Sequence, residues 1–305
     1  AQTIVEYSAP ECTQTTVPTE SQIPTNTKRC MPVWYSDGGA APQLHWFNKL
    51  VVTKVTERDP VAVADVNLTG LSLDISANIV TSYTYTGGGA WHYEESPLIK
   101  KKYRTWGTWR GYQKVTTTVG TGSTKQIDET LFFRGMHGDK AASGTKTVTI
   151  TDSTGATWPD HNWLAGTVRE TRQFNGSTED SGVIMDPRAE VVVADDGRIE
   201  SRQLDVAETR SRQKLAAGGT RNGRERTVAW DSWAQATQVE GHGDLAVTGD
   251  ETCSRTSYAT PTDTATGSID RVSRASTMPA LCAAAEDLGQ VLAASRHYYG
   301  SQPLD

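Results

Sequence analysis

The residues best suited to chemistry form an interleaved run of cations and rings: Lys100, Lys101, Lys102, Tyr103, Arg104, Trp106, Trp109, Arg110 and Tyr112, with Trp91 upstream. Rings beside cations stack against bases or sugars. Trp91, Trp106, Trp109 and Tyr112 are therefore the candidate ligand-stacking residues. The same pattern also builds a core, with the rings turned inward and the Lys and Arg heads left in water. Inward packing is the commoner arrangement for large aromatics. A net charge of -6 and a pI near 5.6 oppose a nucleic-acid partner.

Other constellations are weaker. His-Gly-Asp occurs twice, at His137-Gly138-Asp139 and His242-Gly243-Asp244. His and Asp suit a metal or an acid–base pair, but each triplet sits in Gly-rich sequence, where Asp and Gly serve tight turns. Asp244, Asp250 and Glu251 would contribute to a calcium site, yet their spacing is not that of an EF-hand loop. With 36 Asp and Glu residues, imagined glycosidase dyads carry little weight. There is no G-x-S-x-G element and no phosphate-binding glycine loop. The expectation is a protein without catalytic residues, cofactor or metal.

Cys12 and Cys30 lie near one end of the 305-residue chain, Cys253 and Cys282 near the other. No CxxC or Cys/His spacing points to zinc. Two local disulfides, Cys12–Cys30 and Cys253–Cys282, are the simple reading, which implies an oxidising, extracellular compartment. Four buried thiols are the alternative. No apolar run is long enough to span a membrane as a helix, and the opening residues look like a strand rather than a signal peptide.

The elements that position these residues read as strands. Nine Trp and ten Tyr supply a core, while a mean hydropathy of -0.51 and abundant Thr, Ser and Gly indicate amphipathic strands with polar outer faces. Candidate strands include 61–63, 79–85, 114–119, 130–134, 145–151, 167–174, 191–193, 227–230 and 252–258. Gly87-Gly88-Gly89 reads as a break. Asp152-Ser153-Thr154-Gly155 and Asn175-Gly176 read as hairpin turns. Gln203 to Leu215 has helical propensity but suits a long solvated strand equally well. One or two helical turns are expected near Ala283–Leu288, then a strand through Arg296–Tyr299. The fold class is all-β, with many short antiparallel strands and hairpins in a curved sheet or sandwich-like layers. Residues 1–52 form a disulfide-stapled, loop-rich N-terminal segment and 53–305 a β-rich scaffold.

Several segments together resemble the large secreted RHS/YD-repeat proteins of Streptomyces-like actinobacteria, in the region before or among degenerate repeats. They are Thr81-Ser82-Tyr83-Thr84-Tyr85 with Ala90-Trp91-His92-Tyr93, Lys102 to Trp106 with Trp109-Arg110-Gly111-Tyr112, Phe133 to Lys140, Val148 to Ser153, Thr248 to Cys253, and Tyr298-Tyr299-Gly300. The resemblance implies strands that spiral into a hollow shell able to enclose a C-terminal toxin domain. It thereby implies a non-catalytic structural segment whose partners are the rest of the parent RHS chain or that toxin. Only Asp195-Asp196-Gly197-Arg198-Ile199 is similar to the D-x-x-G-R repeat element, and it lacks the preceding Tyr. The family's self-cleaving aspartyl site has no match. The runner-up is an extracellular carbohydrate- or cell-surface-binding β module using exposed Trp residues.

Overall fold

The computed structural model describes residues 2–36, 38–58, 78–122, 125–188, 191–197, 200–259 and 269–299. Two compact units form, Ala1–Asp180 and Ser181–Asp305. The fold is all-β with antiparallel strand pairing, as the alternating Thr/aromatic pattern predicts.

In the first unit the strands are β1 (Gln2–Tyr7), β2 (Cys30–Tyr35), β3 (Gln43–Asn48), β4 (Val52–Arg58), β5 (Ile79–Tyr93), β6 (Trp106–Val119), β7 (Gln126–Phe132), β8 (Thr149–Thr151), β9 (Thr157–Pro159) and β10 (Val168–Asn175). They build a sheet in the order β1-β4-β5-β6-β7-β10, with two small hairpins, β2-β3 and β8-β9. The Asp152–Gly155 turn closes β8-β9, with Gly155 at φ 88. The candidate strand 61–63 lies outside the described residues. The strand expected over 145–151 shortens to Thr149–Thr151, because Thr145 is held instead in an isolated bridge to Lys140.

The second unit takes in most of β11 (Thr178–Pro187), then β12 (Val191–Asp195), β13 (Glu200–Gln203), β14 (Val206–Lys214), β15 (Thr220–Trp230), β16 (Ala236–Gly241), β17 (Thr252–Tyr258), β18 (Val272–Met278) and β19 (Ala293–Arg296). The order is β11-β14-β15-β16-β17-β18-β19, with a side hairpin β12-β13. The stretch with helical propensity, Gln203 to Leu215, runs from the end of β13 through strand β14. Its Arg210 finds a cross-strand partner in Asp186 at 2.9 Å, and such pairing overrides a weak propensity. No helical turn forms over residues 283–287. A single 3-10 turn occupies Leu288–Gln290, and β19 begins and ends earlier than the strand expected at 296–299.

Gly87-Gly88-Gly89 does not break the chain, contrary to expectation. Strand β5 runs through it, and the register against β6 shifts between Thr86 and Gly89. Gly87 and Gly88 take φ values of 87 and 69, so the run is a bulge that glycine alone enters without strain. Close approach explains the third glycine. A Cβ at Gly89 would lie 2.7 Å from the Trp109 ring and 3.0 Å from the Thr27 carbonyl oxygen. The Gly89 N–H donates to that carbonyl at 2.8 Å, which docks the stapled loop onto β5.

The apolar centre of the first unit is Phe133, Ile150 and Leu164, with Leu131, Trp158 and Trp163 packed against it. Beside it lies a buried ion pair. Arg169 Nη2 meets Asp152 Oδ2 at 2.6 Å, with both side chains essentially inaccessible, and the guanidinium lies 5.8 Å from the Trp158 ring centroid. Burial alone would raise the Asp152 pKa. Hydrogen bonds from the Thr154 hydroxyl and N–H, together with Arg169, instead hold it below the usual carboxylate value.

Candidate functional site

The four candidate stacking residues sit on β5 and β6, where register places Trp91 opposite Trp109 and Tyr93 opposite Trp106. Cross-strand ring pairs are a main source of sheet stabilisation. Trp91 and Trp109 pack edge to face at 4.7 Å and Trp109 and Tyr112 at 5.4 Å, while Tyr112 and Tyr85 lie tilted at 4.9 Å. Trp91, Trp109 and Tyr112 thus form one continuous ladder. Trp106 stands apart, paired with Tyr93 at 4.9 Å.

Trp91 is only 2% exposed, while Trp106, Trp109 and Tyr112 are half-buried. The polar end of Trp91 is satisfied internally, its indole N–H donating to the Lys28 carbonyl at 2.8 Å. The Trp106 indole donates to the Lys140 carbonyl at the same distance, and the Lys140 ammonium rests 4.0 Å over the Tyr93 ring. Buried indoles need such partners. Burial raises the Tyr85 and Tyr112 pKa values, which keeps both phenols neutral. The ladder is occupied on its inner side by the stapled loop, where Cys12–Cys30 closes as expected. Lys100, Lys101 and Lys102 leave this ladder for a separate exposed turn.

The two His-Gly-Asp triplets differ. Gly138 has φ 83 and Gly243 φ 49, so both lie at turns. Asp139, however, is buried and central, which sequence patterning does not reveal. It accepts from Lys146 Nζ at 2.7 Å and from the Tyr93 N–H at 3.1 Å, and it sits 3.0 Å from His92 Nδ1. Burial pushes its pKa up, but these contacts outweigh that and bring it to about 2. The only hint in the sequence is a Lys seven residues downstream of a Gly-Asp turn, which is a weak signal. In the second triplet, Asp250 Oδ2 accepts from the Asp244 N–H at 2.8 Å and Glu251 Oε2 from the Gly249 N–H at 2.8 Å. These carboxylates brace backbone turns. Among the described residues, no group of three or more His, Cys, Asp or Glu side chains is placed to hold a metal.

Cys253–Cys282 is also formed and links β17 to the segment after β18. A cleft of about 580 Å³ opens between β2 and the 94–108 stretch, walled by Trp34 and Tyr103. No histidine lines it. No described helix is long and apolar enough to cross a membrane.

No family model matches the chain, and no curated protein matches it. A solved structure, the Photorhabdus luminescens Tc holotoxin pore, is similar at 11% identity with a TM-score of 0.50. The match covers 76% of this chain and 12% of that one. That likeness is one of fold. This chain spans only about an eighth of the length of the chain it matches.

Proposed function

We propose that the chain is a non-catalytic β scaffold segment of a secreted RHS/YD-repeat protein, contributing wall to a shell that encloses a toxin domain. The observation that carries this reading is the internal use of the aromatic ladder. Trp91, Trp109 and Tyr112 bind strand to strand and strand to stapled loop rather than presenting a row of open ring faces. Each unit's main sheet orders its strands by their sequence, with short side hairpins set outside the ladder. That arrangement suits a wall. The fold likeness to a Tc holotoxin pore supports a toxin-associated scaffold. Two disulfides support passage through an oxidising compartment. The partners are then the remainder of the parent chain and the enclosed domain.

The non-catalytic part rests on how the singled-out carboxylates are employed. Asp139 and Asp152 are committed to cations, and Asp250 and Glu251 to backbone N–H groups. A glycan-binding module would instead use open ring faces at Trp106 and Trp109, and their internal contacts weigh against it.

Limited proteolysis of the full-length secreted protein tests the proposal. The domain downstream of the β region should resist protease until the scaffold is unfolded. Cleavage of that domain in the native protein as fast as in its isolated form would overturn the shell reading.

A further inference from the structure

Among the described residues of the first unit, the cleft beside β2 is a feature that the scaffold reading leaves unused. One wall is β2, where Met31 to Trp34 line it, and the other is the stretch after β5, with Leu98, Ile99 and Tyr103. Trp34 and Tyr103 meet at its end with ring centroids 5.5 Å apart. A volume of about 580 Å³ suits a bound ligand or a few side chains. Apolar side chains are also exposed on the two elements that form the walls. Leu98 is 93% exposed, and Tyr35 and Phe47 on the β2-β3 hairpin are about half exposed. Exposed apolar residues gathered beside an apolar cleft mark an interaction surface rather than an internal void.

Charge narrows the occupant. Between Glu94 and Arg104 four cations, Lys100, Lys101, Lys102 and Arg104, face two carboxylates, in a chain whose net charge is -6. One of those carboxylates, Glu94, lines the cleft together with Lys100, and its Oε1 accepts the Ser96 N–H at 2.8 Å. Lys102 rests 4.8 Å over the Tyr103 ring and Arg104 donates to the Ile99 carbonyl. Lys100 lines the cleft and Lys101 follows it on the exposed turn. Backbone recognition is disfavoured. Strand β2 pairs with β3 on one side, and Pro32, which lacks an N–H, turns its carbonyl toward Gly107 in β6. A proline there discourages strand addition, so the occupant must be read through side chains.

We propose that this cleft docks a peptide segment of a partner chain that carries a large apolar anchor flanked by Asp or Glu. The anchor enters between Trp34 and Leu98, and the carboxylates meet Lys100 and Lys101. This goes beyond the scaffold reading and holds whether or not the chain lines a shell.

The test is selection from a displayed random peptide library on the purified chain, followed by titration of the selected synthetic peptides. The comparison proteins are Leu98→Asp and Lys100→Glu, both changed at exposed positions so that folding is retained. Selected peptides should combine an aromatic or Leu anchor with acidic neighbours, and each variant should bind them about tenfold more weakly. Added salt should weaken the wild-type complex. Recovery of no peptides, of peptides without acidic residues, or of peptides that both variants bind as well as wild type would overturn the proposal. Binding to vesicles of anionic phospholipid without any peptide binding would overturn it in favour of a membrane surface.

Discussion

The Trp91 indole N–H donates to the Lys28 carbonyl at 2.8 Å, and this bond ties the disulfide-stapled loop to β5. Trp91 is buried and packs on Trp109. Replacing it with Ala removes the ring contacts and leaves the carbonyl without its donor, so Trp91→Ala should destabilise the first unit by about 3–5 kcal/mol. Trp91→Phe should cost less, because a ring remains. Urea denaturation measures both. Amide exchange at Gly89, which bonds to Thr27, should quicken in the Ala variant.

Gly89→Ala probes the same docking from the strand side. The added methyl would meet the Trp109 ring at 2.7 Å and the Thr27 carbonyl oxygen at 3.0 Å. Overpacking of this kind costs about 1–3 kcal/mol. A melting temperature equal to wild type would show that the loop is not held as described.

Arg169 and Asp152 form a pair with essentially no solvent access. Removing one partner strands the other charge, so Arg169→Met should destabilise by about 3–5 kcal/mol. The double variant Arg169→Met with Asp152→Asn should recover part of that loss. A double-mutant cycle reads the coupling directly.

Asp139 supplies a pH dependence. Its folded-state pKa of about 2 lies below the ordinary carboxyl value of 3.8. Its contribution is therefore full above the unfolded value and disappears as pH falls from about 4 through 2. The difference corresponds to about 2 kcal/mol. Denaturation midpoints across that window should fall less steeply in Asp139→Asn than in wild type.

Much of this architecture was legible because local chemistry decided it. Thr252–Tyr258 is strand β17 to the residue, and Asp152–Gly155 is a turn, while the turn expected at Asn175-Gly176 falls one residue later, at Gly176 and Ser177, because Asn175 still pairs as the last residue of β10. The cysteine pairs followed from proximity in sequence. What stayed hidden depended on long-range packing. Gly87–Gly89 looks like a break until Thr27 and Trp109 are seen crowding against it. The centrality of Asp139 rests on Lys146, on the Tyr93 amide and on His92, a residue 47 positions upstream. Burial of Trp91 but only partial burial of Trp106 follows from which of them the stapled loop covers.

The most direct test of the scaffold reading is electron cryomicroscopy of the full-length protein. The account predicts that the β4 to β7 sheet forms part of a shell wall, with the Trp91–Trp109–Tyr112 ladder packed within it and a separate domain enclosed. A free-standing module with that ladder open to solvent and bound to glycan would contradict it.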